Sequence, residues 1–328
     1  MELELTDKKI LNILQTDFPI STRPFLSIAN LTGISEDEVL ERIINLKTNR
    51  IIRQISAIFD SHNIGYKSTL AAFKVDPSLV DAAAEIINSH SGVSHNYLRN
   101  NEYNMWFTIT LPQDKSLEGE IKLLSEKSNA SDYLILPTIK LFKIGVNFDM
   151  TGEESSSFKF FSQDDFKPDS DIKITDFEKL CIRELQKDLE ITSEPFKNMS
   201  ANLGISQEKL LENIKNFISD KKMRRFACVL YHQKAGFSYN IMGIWKSKQE
   251  DAEKNGKIMS SLKEVSHCYQ RPVYPGRWEY NIFTMIHSKS KEDALSVMER
   301  ISSLTGINDR DSLESIKEFK KVRVQYYV

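Results

Sequence analysis

The chain has 328 residues, 40 % of them hydrophobic, which is too long for one ordinary core and implies a globular protein of two or more domains. Lys and Arg number 44 against 46 Asp and Glu, and the formal charge of −2 argues against a surface built mainly to attract nucleic acid. Three scattered cysteines imply neither a disulfide framework nor a zinc site, and the acidic start "MELELTDKK" with no long apolar run makes a cytoplasmic protein without a membrane partner the expectation.

In chain order, residues 1–60 read as short helices. Ile10, Leu11 and Leu14 recur at helical spacing, and "SIANLTGISEDEVLERIINLKTNRII" holds a helix, a Gly-containing turn and a second helix. Ser35, with Glu38 three residues on, predicts a capping box there, and the whole has the pattern of a helix-turn-helix. Over 61–150 the period changes to two. "YKSTLAAFKV" is a strand, "SLVDAAAEIINSH" a helix, "VSHNYLR" and "EYNMWFTIT" strands, "SLEGEIKLLSEKS" a helix and "TIKLFKIGV" a strand. This β-α-β-β-α-β order is ferredoxin-like, with helices on one sheet face and the other face open for a partner or ligand.

Residues 151–172 have no period and are rich in Ser and acidic side chains, the composition of a linker, whose phenylalanines imply packing along a surface. After it the chain repeats. "LTDKKILNILQ" matches "ITDFEKLCIRELQ", "LTGISEDEVLERI" matches "NLGISQEKLLENI", "GVSHNYLR" matches "EVSHCYQR", "EYNMWF" matches "EYNIFT" and "TIKLFK" matches "SIKEFK", all in the same order. Residues 173–231 are then a second helix-turn-helix domain and 232–328 a second ferredoxin-like one. The expected class is α+β with an internal duplication, an intramolecular pseudo-dimer for which a further homodimer stays open.

A helix-turn-helix followed by a ferredoxin-like βαββαβ domain resembles the Lrp/AsnC family of transcriptional regulators, which implies DNA binding. The residues argue otherwise. A recognition helix presents its first turn to bases and phosphates, and here that turn is "SEDE", with Glu36, Asp37 and Glu38 facing a polyanion. The second copy offers a merely neutral "SQEK". No DNA partner is expected, and the helices read as packing and dimerisation elements.

On a strand, alternate residues share a face, so His267, Tyr269 and Arg271 project together, as do His95, Tyr97 and Arg99, with Val265 and Val93 on the same parity. Arg grips carboxylate through a two-pronged contact, Tyr offers a hydroxyl on an aromatic wall, and His binds iron or moves a proton near neutral pH. Such a face suits a flat, partly apolar ligand with carboxylates at its rim. Arg53 in the first copy and Arg224 with Arg225 in the second stand where the helix-turn-helix meets the sheet, and line the same cleft in this reading. The second copy adds "PVYPGR" after its triplet, so that Tyr274, Arg277, Trp278 and Tyr280 read as a pocket wall. His232 is a candidate ligand contact and His62 a turn residue.

These segments carry a closer resemblance. "RQISAIFDSHNIGYKSTLAAFKV", "GVSHNYLRNNEYNMWFT" and "KLFKIGVNFDM" are similar to the first subunit type of the siroheme decarboxylases. "RRFACVLYHQKAGFSYNIMGIW" and "VSHCYQRPVYPGRWEYNIFTMIH" are similar to the second, as if two subunits were fused. The resemblance implies removal of two acetate carboxyls of siroheme as CO₂, giving didecarboxysiroheme for an alternative heme pathway or for the dioxo-heme of a nitrite reductase. It implies no cofactor beyond the iron tetrapyrrole, which is the substrate. His267 and His95 are then candidates for proton donor or axial iron ligand, with His267 the first candidate ligand. Tyr269, Tyr97 and Tyr280 assist, and Arg271, Arg99 and Arg224 or Arg225 hold carboxylates. The alternatives are a tetrapyrrole-sensing regulator of Lrp/AsnC type and a heme carrier. Because the second copy has the paired arginines and the insertion, it is expected to hold the principal site.

Overall fold

The computed structural model describes residues 3–145, 173–231 and 239–328; the expected linker and His232 lie outside the described residues. In the first half, α1 (Leu5–Thr16) opens on a capping box between Glu4 and Asp7, and α2 (Pro24–Thr32) has Pro in its first turn and ends on Gly33 at φ +76°, a left-handed position that suits glycine. The next helix, α3 (Glu36–Thr48), is capped by Ser35 Oγ, which accepts from the Glu38 N–H at 3.2 Å. The expected capping box is half formed, because the Glu38 carboxylate accepts instead from Arg42 Nε at 2.9 Å.

Strand β1 (Ile52–Phe59) follows, then β2 (Tyr66–Lys74), α4 (Val80–Ser89), β3 (Val93–Arg99), β4 (Met105–Pro112), α5 (Leu117–Lys127), β5 (Asp132–Leu136) and β6 (Lys140–Ile144). The second half repeats the order with α6 (Asp176–Leu185), α7 (Phe196–Asn202), α8 (Gln207–Ser219), β7 (Met223–Leu230), β8 (Tyr239–Trp245), α9 (Ala252–Ser261), β9 (Val265–Gln270), β10 (Ile282–Ser288), α10 (Lys291–Thr305) and β11 (Arg310–Lys321).

The helix-turn-helix parts are not independent. Their strands β1 and β7 pair antiparallel, and one buried cluster takes Ile10, Phe25 and Leu46 from the first copy together with Ile182, Phe196 and Phe217 from the second. A short helical unit exposes too much apolar surface to stand alone, and sharing a core removes that surface from water.

The remaining strands form a nine-stranded sheet in the order β5-β2-β4-β3-β11-β8-β10-β9-β6. Within it β5-β2-β4-β3 and β11-β8-β10-β9 are each a ferredoxin-like unit. The expected fourth strand of the first unit, "TIKLFKIGV", is not in that unit. The short β5 takes the place, and β6 crosses to pair with β9 of the second half. In the second half the unbroken β11 does both jobs, pairing with β8 through Glu314 and with β3 from Ser315 onward. Pro137 accounts for the difference: it has no N–H to give to a ladder, so the strand is interrupted where β11 merely changes partner.

Because β5 and β6 stand at opposite ends of the strand order yet are separated by residues 137–139 alone, the sheet curls until the covalent chain joins its ends. The outer faces carry α4 and α5 over one core and α9 and α10 over another. The expected open faces are turned inward against each other. They bury Trp106, Leu134, Leu136, Ile244, Trp278, Phe283 and Leu313 in a shared inner cluster. The crossing strand is keyed to its host by Phe142, whose ring lies where any Cβ on Gly256 of α9 would stand, so only glycine fits there.

Candidate active site

The two His-Tyr-Arg rows lie on β3 and β9 and are built alike. Ser94 Oγ lies 2.9 Å from His95 Nδ1, and Ser266 Oγ lies 2.8 Å from His267 Nδ1. The His95 and Tyr97 rings stack at 6.3 Å and 24°; His267 and Tyr269 do so at 6.2 Å and 25°. Arg99 lies over Tyr97 at 5.3 Å and Arg271 over Tyr269 at 4.7 Å.

Each serine sits at an irregularity in strand pairing, between Val93 and His95 in one half and between Val265 and His267 in the other. A bulge re-aims the following side chain. It corrects the expected parity: Val93 and Val265 pack in the outer cores beneath the helices, while the histidine rows take the inner face. Ser266 Oγ also donates to the Met285 carbonyl at 3.3 Å. A hydroxyl has one proton, so His267 Nδ1–H must be the donor to Ser266, and Nε2 carries the free lone pair.

The arginines of the triplets do not reach toward a rim. Arg99 is 5 % exposed and donates through Nη1 to the Leu313 carbonyl at 2.6 Å; Arg271 is 9 % exposed and donates through Nη1 to the Leu136 carbonyl. Leu313 and Leu136 occupy matching places on β11 and β5, so each half's arginine braces the other half's strand. Burial pushes both guanidinium groups down to about 10.

Basic side chains of the β1-β7 ribbon come near the two histidines. Arg53 donates to the Lys321 carbonyl at 2.8 Å, and Arg224 pairs with Asp60 at 2.7 Å. Arg225, where the first copy has Gln54, is pushed down to about 10 by burial and then by Arg224 and Arg323. The same charges reach the histidines. His267 is pushed down to about 3, first by burial and then by His287, Arg224, His95 and Lys143; His95 falls to about 4 through burial, Lys321 and Arg53. Both imidazoles are therefore neutral at pH 7 in the ligand-free protein.

Sequence reasoning had not singled out Lys143, His287, Lys321, Arg323 or Tyr326. Lys143 belonged to a matched repeat segment, and "KKVRVQYYV" alternates basic and apolar side chains, but nothing in either shows that the strand crosses to the other half. His62 opens a short turn closed by Gly65, as expected of a turn residue. The insertion is placed differently from a free pocket wall. Trp278 is 3 % exposed and packs on Trp106 at 5.3 Å, Tyr280 at 5.3 Å and Phe283 at 6.2 Å, so it is part of the inner core, with Tyr280 half-buried beside it. Tyr274 donates to the Ile135 carbonyl at 2.6 Å and Arg277 pairs with Asp132, which stitches the loop to β5 of the first half. Among the described residues no helix is long and apolar enough to cross a membrane.

Comparison with known proteins agrees with this doubled architecture. Residues 7–53 and 178–224 match the siroheme decarboxylase NirDL-like HTH domain, and residues 63–143 and 234–320 match the AsnC-like ligand binding domain. A siroheme decarboxylase of Hydrogenobacter thermophilus is 37 % identical over 97 % of this chain and 94 % of its own length. A siroheme decarboxylase beta subunit of Methanosarcina barkeri is 43 % identical over 43 % of this chain and 92 % of its own length, so a separate subunit there corresponds to about half of the chain here. The crystal structure of the siroheme decarboxylase NirDL in complex with an iron-uroporphyrin III analogue superimposes with a TM-score of 0.76 at 31 % identity, covering 98 % of this chain and 95 % of that one. Duplicated domains, full-length coverage and identity above 30 % together place the chain in the siroheme decarboxylase family.

Proposed function

We propose that the chain removes two acetate carboxyls of siroheme as CO₂, giving didecarboxysiroheme. The observation that carries this reading is the pair of inward-facing His-Tyr rows with Arg224 acting on one histidine and Arg53 and Lys321 on the other, a neutral aromatic floor beside basic side chains. That arrangement matches a flat macrocycle with carboxylates around its edge.

Each turnover converts R–CH₂–COO⁻ and one proton into R–CH₃ and CO₂. The electron pair left by CO₂ spreads into the ring and is quenched by the proton at carbon. Neutral Nε2 of His267 is suited to ligate the substrate iron. Burial is the main reason the histidines are neutral, and repulsion by Arg53, Lys321 and Arg224 adds to it. Substrate carboxylates cancel the repulsive part, which makes it easier for an imidazole to take up a proton in the complex and deliver it. Tyr269 and Tyr97 orient the ring, while Tyr280 packs beside Trp278 in the inner core; no separate cofactor takes part. Arg53, Arg224 and Arg225 hold carboxylates, and Arg99 and Arg271 act as struts. Since one chain already closes the barrel, a further homodimer is not needed for the site.

Anaerobic incubation of the protein with siroheme, read by mass spectrometry, should show loss of two CO₂ per tetrapyrrole. Tight binding with unchanged ligand mass would instead favour a sensor or carrier.

A regulator reading through DNA is disfavoured by the first candidate recognition helix, where Glu36 is paired with Arg23 and the basic Arg42 is held by Glu4, Asp7 and Glu38. No sequence-specific complex is expected at physiological salt, whereas a working regulator binds at about 10⁻⁸ M or tighter. A footprint upstream of its own operon at that concentration would restore the regulator.

A further inference from the structure

Beyond β11, residues 322–328 run across both halves of the molecule. The Val322 N–H donates to the Ser94 carbonyl at 2.8 Å, one residue from His95. Arg323 donates through Nη1 to Ser56 Oγ at 2.5 Å and through Nη2 to the Ala57 carbonyl at 3.1 Å, both on β1. Further on, the Tyr326 hydroxyl lies 2.8 Å from Ser61 Oγ, its N–H donates to Gln186 Oε1 at 2.8 Å, and the Tyr327 hydroxyl donates to the Ile64 carbonyl. Anchors on both sides of Arg323 fix its position.

Its electrostatic setting is unbalanced. Arg323 has no carboxylate partner among the described residues, and the two oxygens it bonds are neutral. Of its neighbours Arg53 carries like charge, and Arg225 in turn feels Arg323. A mostly buried guanidinium beside like charges destabilises a protein unless an anion reaches it. Two of its five N–H donors are used by the anchors, which leaves donors for a ligand.

We propose that Arg323 binds an acetate carboxylate of the tetrapyrrole beside the His95 row. The assignment rests on the siroheme reading and adds a residue from the segment that follows β11. An acetate has a single methylene, so a group holding one must stand close to the ring, and the Val322 bond to Ser94 places Arg323 there.

The test compares iron uroporphyrin III, with four acetates and four propionates, against iron coproporphyrin III, in which methyls replace the acetates. Visible titration of the full chain should show Arg323→Gln weakening the first ligand about tenfold or more, as for loss of one charge-assisted contact. The second ligand should change by less than about threefold. Arg323→Lys keeps the charge without the fork and should lower the preference for uroporphyrin at least about threefold. Equal losses for both ligands, or no loss, would overturn the proposal. If Arg323→Gln does not fold, an unchanged preference in Arg323→Lys does so. Failure of the siroheme reading is seen separately, as wild-type protein that binds neither ligand.

Discussion

His267→Ala is expected to lower siroheme turnover by about 10²-fold or more, the order associated with losing a general acid or base, and to alter the visible spectrum of the bound tetrapyrrole. The two histidine rows have nearly the same internal geometry, so the expected inequality comes from their surroundings. Arg225 replaces Gln54, His287 on β10 stands where β4 has Thr110, and the insertion around Trp278 closes the inner core from the second half. His95→Ala should therefore do less to the first decarboxylation and let a mono-decarboxylated intermediate accumulate. Mass spectra of both variants under single-turnover conditions decide the matter. Equal losses, with neither intermediate nor spectral difference, would mean two equivalent sites and remove the case for a principal one.

Arg271→Met should act on stability before it acts on substrate. The substitution keeps most of the apolar stem but removes the donor to the buried Leu136 carbonyl and the cation over Tyr269. Leaving a buried acceptor unsatisfied costs about 1–3 kcal/mol, a fall of several degrees in Tm for a chain of this size. Arg99→Met removes the matching donor to Leu313 and should cost a similar amount. Braces at separate places in the barrel should add, so the double variant should lose about the sum. Thermal melts paired with iron uroporphyrin III titrations separate a brace from a grip. A brace lowers Tm with affinity nearly kept below the transition. Collapsed affinity at unchanged Tm would return these arginines to the carboxylate-binding role that their alternation with His and Tyr first implied.

That alternation shows where reading the sequence succeeds and where it stops. A two-residue period correctly puts His267, Tyr269 and Arg271 on one strand face, because the pleat is local. It fails for Val265 and Val93, because a bulge at Ser266 or Ser94 shifts the parity and depends on what the neighbouring strand offers. The period also says nothing about depth along the strand. His267 ends up near Arg224 of the β1-β7 ribbon, while Arg271, four residues on, is drawn into the seam between halves. Trp278 looked like a pocket wall because aromatic residues in a Pro- and Gly-shaped loop often are. It became core because the first half supplies Trp106 and Tyr103 to receive it.

By itself the sequence determined the duplication, the helix-turn-helix units, the β-α-β-β-α-β order and the paired histidine rows. Each of these follows from caps, periodicity and repetition within a few tens of residues. Only the tertiary structure decided that β6 and the second part of β11 exchange between halves, that the open sheet faces close on each other, and that Arg53 and Arg224 come close enough to act on the histidines. Edge-strand pairing and the burial of charge are contests between distant segments, settled by which arrangement leaves the fewest unpaired backbone groups and the least exposed apolar surface. A local pattern names the competitors, and only the closed barrel decides between them.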